Sequence, residues 1–276
     1  MRGASSFVVL SGLFACALVV SPVQAGDNDA VQALAREKAA AVSILKANGA
    51  KQIATMAQDR VFIAYLNAST QGQGARLRAR MAAMFTTLWN RFGLRDVALV
   101  DRAGELVVRV GHAQNAPTTY NVKRDPVLSA GLAQKPLQVT TIAAVDALTF
   151  VAPVYWREQA EFVLSARQSF SAYRKVLARG TANGVFVMLV DAKGQVLADT
   201  RSGPAAGTRG KLVAGLSLEG VRKAVKGSRD EGTGEVVRGN DRFSVSYLSV
   251  GDWTVVAGAS LSVPRRCPGA GTRLCG

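Results

Sequence analysis

The segment LVDRAGELVVR, Leu99 to Arg109, returns as LVDAKGQVLAD at Leu189 to Asp199. Each copy reads apolar strand, Asp-x-x-Gly turn, apolar strand, and the two turn aspartates, Asp101 and Asp191, lie 90 residues apart. A hairpin repeated at that distance is too widely spaced for a solenoid and fits two small α+β units of one design. The chain is therefore expected to fold as two related antiparallel sheets rather than as one large sheet.

The N-terminus, MRGASSFVVLSGLFACALVVSPVQA, has a basic start at Arg2, an apolar run from Phe7 to Val20 and a small-x-small site at Val23-Gln24-Ala25. This is the pattern of a secretory signal peptide cleaved after Ala25. An uncleaved membrane anchor is the other reading, though the run is short for a span and ends at Pro22. Leu13-Phe14-Ala15-Cys16 loosely matches a lipidation site, against which Phe14 and the apolar run after Cys16 both count. No later window reaches spanning length. After cleavage only Cys267 and Cys275 remain, both in the tail CPGAGTRLC. An oxidising compartment permits a bridge between them, and two incidental thiols in a disordered end fit equally well.

The full chain carries a formal charge of +15. Cleavage removes Arg2 and no acid, so the exported form stays strongly basic. That favours anionic partners, or a solvated surface with scattered arginines. No dense Lys/Arg block with interleaved aromatics is present, which argues against nucleic acid. Roughly 250 residues suffice for a sizeable core.

Asp27 to about Leu66 is rich in helix formers, with Val31, Leu34, Ala35, Val42, Leu45, Ile53, Met56 and Ala57 near helical spacing and Gly49 as a point of bending. Asn67 to Gly74 reads as a loop. Ala75 to Phe92 reads as a second helix, with Leu77, Met81, Met84, Phe85, Leu88 and Trp89 on one face and Gly93 as its stop. Strands are then expected at Val97–Asp101 and Glu105–Gly111. A loop with a short helix follows from His112 to Lys135. Three more strands are expected at Leu137–Val145, Leu148–Trp156 and Ala160–Arg167. Together they form a five-strand antiparallel meander with one crossover between strands two and three. Arg109 shares its face with Val107 by simple alternation, on a strand covered on both sides, and so needs an anion there. A helix from Ser169 to Arg179 leads to the second copy. This has strands at Val185–Asp191 and Val196–Asp199, a glycine-rich loop, a short helix at Leu218–Val225, and closing strands at Gly234–Arg238, Phe243–Leu248 and Trp253–Ala259.

Residues for catalysis are sparse. His112 is the single histidine, no G-x-S-x-G elbow accompanies it, and no His/Cys ligand set has zinc spacing. The glycine-rich stretch Gly203 to Gly215 lacks the G-K-[ST] ending of a phosphate loop. The expectation is a non-enzyme without metal or cofactor.

The order of these elements resembles the double Cache (PAS-like) family of extracytoplasmic sensor domains. The likeness rests on FGLRDVALVDRAGELVVRVG (Phe92–Gly111), LTFVAPVYW (Leu148–Trp156), GVFVMLVDAKGQVLADTR (Gly184–Arg201) and SVSYLSVGDWTVVAGASL (Ser244–Leu261). It covers roughly Val31 to Leu261. It implies an α+β fold with a long N-terminal helix and two Cache modules, each an antiparallel sheet with flanking helices. The matching boundaries are 1–25 signal peptide, 26–92 helical region, 93–168 distal-type module, 169–263 second module and 264–276 tail.

It also implies a ligand pocket in the first module between its sheet and the crossover loop. The matching positions are Arg109, His112, Tyr120 and Lys123, with Tyr155 on the facing strand. Arginine supplies a bidentate clamp and tyrosine an O–H donor, which suits a small carboxylate. For Lys123, Arg124 and Asp125 the plainer reading is a solvated helix start with Asp125 as cap. Family members usually continue into a transmembrane helix and a cytoplasmic output domain. This chain stops in PRRCPGAGTRLCG, so the expectation is a periplasmic sensor of a small anionic metabolite. It would shift between two arrangements of its modules and signal through a separate membrane kinase, cyclase or chemoreceptor. The alternative is a ligand-free envelope protein, or a truncated receptor fragment, docking through its basic surface.

Overall fold

A computed structural model describes residues 28–111, 119–143, 147–182, 184–201, 218–238 and 241–261. The segment expected to be a signal peptide, His112, the glycine-rich loop and the two tail cysteines lie outside the described residues.

Three helices come first: α1 Asn28–Ala57, α2 Arg60–Leu66 and α3 Gln71–Phe92. The expected continuous helix to Leu66 is broken because Asp59 caps a new one, its carboxylate accepting from Val61 N at 2.8 Å. The expected loop to Gly74 is shorter, because the Thr70 hydroxyl caps α3 by accepting from Gln73 N. Helix α1 runs through Gly49 without a break. Gly49 lies where α1 crosses the buried ring of Phe150, and a Cβ there would stand 2.4 Å from the ring.

The first sheet contains β1 Leu94–Asp101, β2 Leu106–Gly111, β3 Thr140–Ala143, β4 Ala147–Trp156 and β5 Gln159–Ser169, in the order β2-β1-β5-β4-β3. The crossover, with α4 at Pro126–Leu132, delivers β3 to the far edge, and β5 closes back onto β1. β3 is shorter than expected, since Leu137 is exposed with a positive φ of 65° and cannot extend the strand. Helix α5, Phe170–Ala178, leads to the second sheet.

That sheet holds β6 Val185–Asp191, β7 Val196–Asp199, β8 Lys226–Gly227, β9 Glu231–Arg238, β10 Asp241–Val250 and β11 Trp253–Ser260, with α6 at Leu218–Ala224. Its order is β7-β6-β11-β10-β9-β8, the same wiring with one added two-residue edge strand. β9 begins three residues earlier than expected because Glu231 to Thr233 pair with β10.

The repeated hairpins match in detail. The Asp101 carboxylate accepts from Ala103 N and Glu105 N at 2.9 and 2.8 Å; the Asp191 carboxylate accepts from Lys193 N and Gln195 N at the same two distances. Gly104 and Gly194 supply the positive φ these turns need. Both hairpins slip register at the same place, between Leu99 and Val100 and between Leu189 and Val190.

One continuous core joins the halves. α1 places Val31, Ala35, Val42 and Ile53 against the inner faces of both sheets, among Leu99, Phe150, Leu164, Leu189 and Val255. Each such side chain contributes about 1.5–3 kcal/mol by burial. Lys38 of α1 is buried, amine included; it pairs with Glu37 at 2.9 Å and donates to the Arg179 carbonyl at the end of α5, where the helix dipole favours a cation. In the same N-terminal half of α1, Arg36 and Gln32 donate to the Glu231 carboxylate of β9 at 2.5 and 2.8 Å. Hydrogen bonding from Arg36, then Gln32, lowers the Glu231 pKa. A lowered pKa in the folded state means its contribution is present at neutral pH and is lost as pH falls through the folded pKa. Glu231→Gln should therefore lower the urea midpoint slightly at pH 7 and not at pH 2.5.

Tyr173 of α5 sits at the junction, edge-on to Trp253 with centroids 5.4 Å apart. Its hydroxyl is buried with no partner among the described residues, and burial raises its pKa. Tyr173→Phe should be neutral or stabilising by about 1 kcal/mol in urea denaturation, because it removes an unsatisfied group and keeps the ring. A loss of that size would mean that the hydroxyl is bonded.

Candidate functional site

The outer face of the first sheet, away from α1, follows from the strand register. One row across it is Leu106, Val100, Val163 and Pro153; the next is Arg109, Ala98, Ser165, Val151 and Thr140; the third is Gly111, Asp96, Arg167, Thr149 and Ile142. α4 covers the apolar end, with Leu128, Val127 and Leu132 against Val100, Val151 and Val163. Asp125 caps α4, accepting from Val127 N and Leu128 N at 2.8 and 3.1 Å. The face thus runs from an apolar patch under α4 to a polar band carrying Arg109, Ser165, Asp96, Arg167 and Thr149.

Arg109 reaches this face through a β-bulge. The register slip after Leu99 leaves Val107 as an extra residue, and Val107, Val108 and Val110 all pack toward the helical core. The expected sharing of a face between Arg109 and Val107 is therefore wrong; the β2 residue that shares its face is Leu106, one row away. The half-buried Arg109 guanidinium donates to the Tyr120 hydroxyl and lies 5.8 Å from that ring's centroid. Among the described residues its Nε has no partner and no carboxylate pairs with it. On the same face Arg167 meets the buried Asp96 at 3.4 Å. An ion pair of this kind adds little net stability but fixes side-chain positions.

The structure brings Arg109 and Tyr120 together. Lys123 is exposed in the turn before α4. Tyr155 lies at the far end of the face, where its hydroxyl donates to the Gln134 carbonyl. It stands beside a cavity of about 230 Å³ reached by Ala54 and Ala57 of α1. Three strand spacings across and four residues along separate its backbone from that of Arg109, roughly 20 Å. Asp96, Ser165, Thr149 and Arg167 were not singled out in the sequence. The signal for them is the register that runs from Arg109 across β1, β5 and β4.

A larger concavity, about 690 Å³, opens where the α2–α3 junction meets the β1–β2 turn. Its Asp101 carboxylate is committed to the turn and its Arg102 to Gln159 at 2.6 Å, so it offers less free chemistry. Among the described residues no group of acids, histidines or cysteines could hold a metal, and no helix is long and apolar enough to cross a membrane.

No protein-family signature and no curated protein sequence matches the chain. Solved structures do. The ligand-binding domain of the Campylobacter jejuni chemoreceptor Tlp3, in complex with L-valine, aligns over 85% of this chain and 92% of its own, with TM-score 0.66 and 13% identity. The sensor domain of the Vibrio cholerae histidine kinase DctB aligns over 86% and 98%, with TM-score 0.59 and 14% identity. The ligand-binding domain of the Pseudomonas fluorescens chemoreceptor CtaA, in complex with L-serine, aligns over 84% and 96%, with TM-score 0.59 and 12% identity. These neighbours are Cache-type sensor domains, and the shared architecture of long helix and two like-wired sheets is the expected one. The chain has the double Cache fold of bacterial ligand-binding sensor domains.

Proposed function

We propose that the chain is an exported, non-enzymatic sensor that binds a small metabolite bearing a carboxylate on the outer face of its first sheet. The binding state would then pass to a separate membrane kinase, cyclase or chemoreceptor. The observation that carries the reading is Arg109: a half-buried guanidinium, positioned by Tyr120, with a buried Nε–H that nothing in the described protein accepts. A guanidinium in that setting is completed by an anion. The apolar residues beneath α4 give such a ligand a hydrophobic wall, and Ser165 and Thr149 add hydroxyls. His112, outside the described residues, and Lys123, in its exposed turn, are proposed as further contacts. Tyr155 is proposed to anchor the crossover through Gln134. The neighbours' complexes with valine and serine support an amino acid or a similar small acid as the class to try first.

The two sheets share α1 and a common core, so a ligand that favours one packing of the first sheet can bias the second. A thermal-shift screen of amino acids, hydroxy acids and dicarboxylates tests the reading. A specific hit that raises the midpoint in a concentration-dependent way supports it. No hit across the panel, together with salt-sensitive capture of an acidic envelope protein, favours docking through the basic surface.

A further inference from the structure

The second sheet carries a cavity of its own, about 350 Å³, between α6, the start of β9 and the turn joining β10 to β11. Arg222, Arg229, Asp230, Asp252, Thr254 and Trp253 line it. Arg222 is half-buried. Its Nη2 donates to the Thr254 hydroxyl at 3.2 Å, its guanidinium lies 5.8 Å from the Tyr247 ring centroid, and its buried Nε has no partner among the described residues. No carboxylate pairs with it among the described residues, and none pairs with Arg229. Arginines elsewhere on this half of the molecule do have partners: Arg201 with Asp199 at 2.6 Å, Arg242 with Glu235 at 2.5 Å. Arg222 instead has its charge held by a neutral hydroxyl and an aromatic face in a cavity large enough for a small solute.

We infer that this cavity is a second ligand site, for a small carboxylate whose net charge is no more negative than −1. Arg222 and Thr254 receive the carboxylate, and Arg229 attracts it at the mouth. Asp230 and Asp252, exposed on the same wall, repel a second negative charge and accept hydrogen bonds from a ligand hydroxyl or ammonium. An α-hydroxy or α-amino acid therefore suits the site better than a dicarboxylate. The position gives binding a consequence. Trp253 forms one wall and also packs against Phe170 and Tyr173 of α5, with the Lys46 amine of α1 4.6 Å from its ring centroid. A smaller cavity between the two sheets shares Ala192, Asp252 and Trp253 with it. Occupancy of the second site thus bears directly on the packing that joins the sheets.

Calorimetric titration of the full chain with lactate, glycine and succinate tests the inference, in the unaltered protein and in the Arg109→Ala, Arg222→Gln and Arg229→Gln variants. Lactate or glycine is expected to bind with an affinity that survives Arg109→Ala, falls at least tenfold in Arg222→Gln and falls several-fold in Arg229→Gln. Succinate should bind this site more weakly. Binding that is lost only in Arg109→Ala belongs to the first sheet and overturns the second site. So does binding that resists both Arg222→Gln and Arg229→Gln, a preference for succinate at the Arg222-dependent site, or no heat from any of the three. If Arg222→Gln does not fold, unchanged affinity in the surface variant Arg229→Gln overturns the proposal by itself.

Discussion

Phe150→Ala is expected to destabilise the protein by about 3–5 kcal/mol, the cost of emptying a well-packed aromatic site. Phe150 is fully buried on β4 and meets α1 at Gly49, the position where a Cβ would come within 2.4 Å of the ring. Gly49→Ala pits two effects against each other. Alanine gains about 1 kcal/mol of helix propensity over glycine, while overpacking a closed core costs about 1–3 kcal/mol. The clash is with a ring held on all sides, so the single substitution should destabilise by about 1–2 kcal/mol. In the Phe150→Ala background the clash is gone, and Gly49→Ala should become stabilising. This reversal of sign, measured by urea denaturation of all four proteins, is the signature of direct contact. Additive effects would mean that α1 does not cross β4 at Gly49.

Arg109→Ala is expected to weaken binding of the best carboxylate found in the screen by about 10- to 150-fold, the equivalent of one charged hydrogen-bonding group. The fold should be spared. Arg109 contacts Tyr120 and is only half-buried, so its removal opens no core and strands no buried carboxylate. Tyr120→Phe should have a smaller effect, because the guanidinium remains and loses only its positioning partner. Unchanged affinity in Arg109→Ala, with the midpoint of unfolding also unchanged, would remove Arg109 from the site.

The duplication was legible because the Asp-x-x-Gly turn is local chemistry: Asp101 and Asp191 need only neighbours within four residues. From those turns the pairing of each hairpin follows, and the like wiring of the halves follows from the repeat. The break at Asp59 was harder to see, since one capping carboxylate inside a helix-rich stretch looks like any surface acid. The face of Arg109 was misassigned relative to Val107 because a one-residue bulge resets alternation and leaves no mark in composition. The polar band was missed for another reason. Asp96 and Arg167 lie 71 residues apart in sequence, and only the pairing of β1 with β5 makes them neighbours. Lys123 is grouped with Arg109 only through the family resemblance, and the turn before α4 leaves it exposed. Tyr155 was placed on the correct strand, and the strand order then sets it at the other end of the face.

The central claim, a ligand held on the outer face of the first sheet, is tested most directly by hydrogen–deuterium exchange. The full chain carrying Arg222→Gln, which silences the second cavity, would be compared with and without the carboxylate that gives the largest thermal shift. The expected result is slower exchange that is largest in β2, Leu106–Gly111, and across Thr119 to Leu132, where the ligand, Tyr120 and α4 meet, and smaller in β9 and β10. Slower exchange confined to the second sheet, or none at all at saturating ligand, would contradict it.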